Sequence, residues 1–161
     1  MAVPIGDSNV RYGSYRREPR SWAGSTCHRR DFRKATAMGA QENKQTAQAA
    51  YAAFGKGDAD GAMRNIDDSI EWTVRGDNAL TGTHKGKQAV GELWAKLVNT
   101  GFRTDPHDFI ADGDKVVVLT TAHLDGETVE SADVLVYNDA GKLVTFDTLG
   151  DPKATNRVFA R

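Results

Sequence analysis

Asp133-Val134-Leu135-Val136-Tyr137-Asn138-Asp139-Ala140-Gly141-Lys142-Leu143-Val144 is a pair of apolar runs flanking a polar, glycine-ended turn. That pattern predicts a β-hairpin, with one strand over 128–137 and the next over 142–149. Working back along the chain, Val116-Val117-Val118-Leu119 are consecutive apolar residues, mostly β-branched, and predict a strand over 115–124. Asp125-Gly126 joins those two strands as a tight turn. A further strand over 102–111 is interrupted by Pro106, which predicts a bend or bulge there.

Ahead of these strands the apolar period changes from two to that of a helix. Ala47, Ala50, Tyr51 and Phe54 follow the i, i+3, i+4, i+7 spacing of one helix face. Gly55 and Gly57 stop that helix, and Asp58 is placed to cap a short second one carrying Ala62, Met63 and Ile66. A strand over 69–75 follows, with Ile70, Trp72 and Val74 on one face and Glu71, Thr73 and Arg75 on the other. The glycine- and threonine-rich stretch 76–86 reads as a loop. A third helix over 87–99 has Val90, Leu93, Trp94 and Leu97 as its buried stripe. Asp151-Pro152 begins a C-terminal coil. The order is helix, helix, strand, helix and then four strands, so one curved antiparallel sheet buries a face against three helices. The space between is a natural ligand pocket.

At 161 residues the chain suggests one domain. No apolar run reaches the roughly 18 residues of a membrane span. The net charge of −1 hides a split, because residues 1–38 hold eight basic and three acidic side chains. No helical or strand period organises those basic residues. Residues 1–40 are therefore expected to be a disordered basic tail, not a nucleic-acid arm, and 41–161 the pocket domain. Met38-Gly39 also reads as an alternative start. Cys27 is the only cysteine, which excludes an internal disulfide and makes a reducing cytoplasmic compartment the simplest expectation.

Four stretches together resemble a known superfamily. They are the helix–Gly-Asp–helix junction at 50–61, the strand entry at 67–72, the small-residue loop at 80–87 and the late hairpin at 133–144. In this order and at these separations they resemble the nuclear transport factor 2-like superfamily, especially ketosteroid isomerase-related and SnoaL-like proteins. The resemblance implies an α+β conical barrel, its sheet wrapped around three N-terminal helices, and a homodimer. It does not imply one reaction, because the fold hosts several chemistries as well as plain binders.

Ketosteroid isomerases use a carboxylate base, with a tyrosine and a protonated aspartic acid to stabilise the enolate oxygen. The resemblance puts Asp133 at the position of that aspartic acid. It puts Thr73 at the base, which threonine cannot replace, and Ala50 at the tyrosine. Tyr51 is one residue away, a rotation of about 100° on a helix. A standard steroid isomerase is therefore disfavoured. No Arg-x-Asp pair exists on 115–124 or 128–137, so the epoxide hydrolases of the superfamily are disfavoured as well. SnoaL-like cyclases imply one pocket aspartate as acid/base, helped by histidine, and Asp147 with His123 or His84 could fill those roles. If Tyr137 faces Lys142 across a regular hairpin, Asp133 and Asp147 fall on opposite sheet faces unless a bulge intervenes.

The catalytic candidates are thus Asp133, Asp147 and His123. The substrate-binding candidates are Tyr51, Phe54, Trp72, His84, Trp94 and Tyr137. Trp72 and Trp94 also read as core or pocket wall, and His84 as an exposed loop residue. Histidine and carboxylate spacings offer no metal site, and no glycine-rich loop fits a dinucleotide or a phosphate, so no cofactor is expected. Two readings follow: acid/base chemistry of isomerase, cyclase or lyase type on a small apolar oxygenated molecule, or a non-catalytic binding or dimerisation module.

Overall fold

The structure, a computed structural model, describes the backbone of residues 29–160 and the side chains of residues 39–160. The expectations for the basic segment up to residue 28, and for Cys27, lie outside the described residues. Ten elements follow one another: α1 (Arg29–Gly55), α2 (Ala59–Met63), β1 (Ile66–Val74), β2 (Gly82–Lys85), α3 (Lys87–Val98), β3 (Arg103–Asp112), β4 (Lys115–Leu124), β5 (Glu127–Tyr137), β6 (Leu143–Gly150) and α4 (Lys153–Val158).

Local chemistry sets the boundaries. The Asp58 carboxylate accepts the backbone N–H of Gly61 at 2.8 Å and so caps α2. Asp125 and Gly126 both adopt positive φ, 51° and 78°, as the two-residue turn between β4 and β5 requires. The register of β3 on β4 shifts between Pro106 and Asp108, where the proline cannot donate to the ladder.

The six strands form one sheet in the order β2-β1-β6-β5-β4-β3. Here the expected conical barrel is corrected. The sheet is open, ending on β2 at one edge and β3 at the other, and it is neither closed nor strongly curved. Nor is it wholly antiparallel, because β1 runs parallel to β6. The third helix falls after the first strand as expected, as α3, while the coil expected after Asp151-Pro152 is instead a fourth helix, α4. Two of these features were hidden for physical reasons. The β2 strand is held by main-chain pairing of Trp72 with His84 and Val74 with Gly82, and four residues give no alternation to read. The β1–β6 pair joins segments about 75 residues apart, which no local pattern reports.

The core sits on the inner face of the sheet. Ile70, Val116, Val118, Leu135 and Phe146 are buried there against Ala47 of α1 and Val90 of α3. Their alternation along each strand with exposed or half-buried residues is the period of two that the hairpin sequence displays.

Candidate functional site

The inner face carries one acidic residue into this core. Asp133 is in phase with Leu135 and Tyr137 on β5, so period-two alternation points it inward, and it is 4 % exposed. Its register partners are Val118 on β4 and Thr148 on β6. Two hydroxyls serve its carboxylate. Tyr51 Oη donates to Oδ2 at 2.5 Å, and Thr148 Oγ1 donates to Oδ1 at 2.8 Å. Tyr51 descends from α1 on the face that also carries buried Ala47.

Burial raises the Asp133 pKa above the ordinary aspartate value, and the bonds from Tyr51 and Thr148 pull in the opposite direction. The Tyr51 pKa is raised well above its usual value, first by burial, then by the charge and hydrogen bond of Asp133, and lastly by Tyr137. Burial alone pushes the Tyr137 hydroxyl up. Both tyrosines therefore stay protonated, and Tyr51 is the donor to Asp133.

Asp133, Tyr51 and Thr148 line a cavity of about 200 Å³ between the sheet and the helices. Aromatic rings make much of its wall. Trp72 stacks on Phe146 with centroids 3.5 Å apart, and meets Trp94 edge-on at 5.6 Å. Phe54 packs edge-on against Trp94 at 5.1 Å. A second polar spot lies one rung from Asp133, where Thr120 Oγ1 and Ser131 Oγ are 2.9 Å apart. Residues of α4, among them Ala154 and Thr155, line the cavity as well.

The candidates separate cleanly in space. Asp133, Tyr51, Phe54, Trp72, Trp94 and Tyr137 line the cavity. Asp147 does not. It pairs with Val134, on the opposite face from Asp133, and forms a bidentate ion pair with Arg75 at 2.6 and 2.9 Å. His123 also points to the outer face, its Nε2 2.8 Å from Asp105. His84 lies opposite Trp72 but stops short of the cavity, its Nε2 donating to the Leu80 carbonyl at 2.8 Å. Thr73 contacts the Thr83 hydroxyl at 3.2 Å.

The hairpin register explains the split. Asp133 faces Thr148 where a regular hairpin would give it Phe146, and the irregularity lies between Val136 and Tyr137. The shift at Asp133 is an even number of residues, so Asp133 and Asp147 stay on opposite faces. On α1, Tyr51 reaches Asp133 while Ala50 lines the cavity beside it. Sequence reading missed Thr148, Thr120 and Ser131. Their signal was present: all three share phase with inward neighbours, Phe146, Val118 and Asp133 respectively. Among the described residues no group of three histidine, cysteine or acidic side chains is placed to hold a metal ion. No described helix is long and apolar enough to cross a membrane.

An open mixed sheet, helices on one face and a buried acid in the cavity between them define a small α+β pocket protein. The SnoaL-like domain family matches residues 47–146, and the chain belongs to that family, within the nuclear transport factor 2-like superfamily. Solved structures agree. An NTF2-like protein of unknown function from Burkholderia pseudomallei K96243 is 25 % identical, with a TM-score of 0.66, covering 74 % of this chain and 98 % of its own. TerC, co-crystallised with polyporic acid, is 26 % identical with a TM-score of 0.65, covering 74 % and 99 %. A putative polyketide cyclase from Sinorhizobium meliloti is 18 % identical with a TM-score of 0.57, covering 65 % and 94 %, a likeness of fold alone. A search of curated proteins finds no match.

Proposed function

We propose that the chain takes a small apolar oxygenated molecule into its cavity and moves a proton on it with Asp133. The observation that carries this is the Asp133 carboxyl, 4 % exposed inside an aromatic cavity, with Tyr51 and Thr148 bonded to it. A carboxyl whose pKa is raised by burial can take a proton from a ligand carbon and return it to another atom near neutral pH. Tyr51 and Thr148 hold the carboxylate in one orientation, and aromatic rings make much of the wall around it. TerC was crystallised with polyporic acid, which supports reading the cavity as a small-molecule site.

The test is deuterium uptake by an apolar ketone such as 2-tetralone in D2O, followed by mass spectrometry. The wild-type protein is expected to speed exchange next to the carbonyl, and Asp133→Asn to slow it by about 100-fold or more. Asp147→Asn is expected to keep the wild-type rate. Equal exchange by wild type and Asp133→Asn would reject the assignment.

A second reading, binding without turnover, is favoured by one observation: Asp147 and His123 both lie on the outer face, so neither helps Asp133. It predicts that ligands bind and are recovered without deuterium. The partner we infer is a second copy of this chain, set on the outer face of the sheet. Ile110, Leu119 and Leu149 there are 58 %, 38 % and 45 % exposed. Leu119 and Leu149 flank Ala132 on one continuous rung, and Ile110 lies beside Val117 and Val134 on the next in-phase rung.

A further inference from the structure

The cavity has a second polar spot that the proton-transfer reading does not use. Thr120 and Ser131 sit directly opposite each other on β4 and β5, their hydroxyl oxygens 2.9 Å apart. Both line the cavity, and Thr120 is only 1 % exposed. Two hydroxyls own two protons, and one proton makes the bond between them. Among the described residues no other side chain takes the second, so the pair has one donor left to offer.

The neighbouring strand leaves room for that donor. The residue of β6 opposite Ser131 is Gly150. A Cβ at Gly150 would come within 2.9 Å of the Ser131 Cβ, a contact that side chains do not make. Gly150 is not among the positive-φ glycines, so its backbone does not call for glycine. What its missing side chain provides is space beside Ser131.

Ser131 and Asp133 are two residues apart on one strand, which spaces the two polar spots by about 7 Å along the sheet. The wall next to Asp133's rung is the flat Trp72–Phe146 stack. We propose that the Thr120–Ser131 hydroxyl pair is a second anchor, and that the cavity's ligand is a flat, ring-based molecule with an oxygen at each end. One oxygen meets Asp133, and the other accepts the spare hydroxyl proton. This rests on reading the cavity as a small-molecule site, and it narrows the class of molecule.

Isothermal titration of 2-naphthol and 2,6-dihydroxynaphthalene, which share a ring system and differ by one distal oxygen, tests it. Wild-type protein is expected to bind the diol about fivefold more tightly than the mono-ol, the worth of one neutral hydrogen bond. Thr120→Val with Ser131→Ala is expected to bind both probes equally. Those changes remove both partners of a bond with little change of shape, a substitution that folds tolerate. Gly150→Ala keeps both hydroxyls, pushes on Ser131, and is also expected to erase the preference. Equal binding of the two probes by wild type, or a preference that survives in both variants, overturns the second anchor and leaves the pocket reading standing. Wild-type protein that takes up neither probe overturns the pocket reading and the anchor with it.

Discussion

Asp133 is set apart from the other described aspartates by its burial. Burial favours its neutral form, so in the folded chain it holds its proton more tightly than in the unfolded chain. Between the ordinary aspartate pKa and the raised one, the folded state then binds more protons, and stability falls as pH rises through that window. Asp133→Asn is expected to flatten this fall, read as the urea midpoint against pH. A slope unchanged in the variant would contradict it. The bond from Tyr51 lowers the Asp133 pKa, so Tyr51→Phe is expected to move it further upward. The exchange-rate profile in 2-tetralone should then shift its acidic limb to higher pH; a stationary limb would show that Tyr51 does not act on the carboxyl. Asp133 was legible through the likeness of the late hairpin to that of ketosteroid isomerases, and the structure adds that it is in phase with buried Leu135 and Tyr137. Tyr51 was half legible. It fell on the right helix, but a one-residue offset in matching against relatives hid its reach to Asp133.

The elements were legible where side-chain pattern dictates them. The β4 strand was bounded by its apolar run, α2 by the Asp58 cap, and the β4–β5 turn by Asp125-Gly126. They were illegible where the main chain alone decides. The β2 strand pairs through its backbone, and α4 is a short helix after a proline whose Ala154 is buried against the cavity. Two changes probe this scale. Ile70 is fully buried between β1 and its neighbours, so Ile70→Ala is expected to cost about 2–5 kcal/mol of stability by chemical denaturation. Gly126 has a φ of 78°, so Gly126→Ala is expected to cost about 1 kcal/mol through left-handed strain. A loss under half of either figure would mean that the site relaxes more freely than its packing implies.

At the scale of the molecule the sheet has two faces of different chemistry. The inner face holds the cavity and its one buried acid. The outer face presents Leu119 and Leu149 in one rung with Ile110 close by, bordered by the Asp147–Arg75 and His123–Asp105 pairs. Leu119→Glu is expected to shift the protein from dimer to monomer in sedimentation velocity while keeping its 2-naphthol affinity; an unchanged sedimentation coefficient would place the partner elsewhere or nowhere. The alternation of β5 and β6 foretold that Asp133 and Asp147 part company, but not which face meets the helices. That choice depends on where α1 and α3 pack and on the parallel β1–β6 pairing, both long-range. The protonation of Asp133 inside the cavity underlies the proposed proton transfer. Carbon-13 NMR of the Asp133 carboxyl, assigned by its loss in Asp133→Asn and titrated across pH, reads it without a substrate. The expected result is a pKa clearly above that of ordinary exposed aspartates. A carboxyl that titrates alongside them would contradict the account.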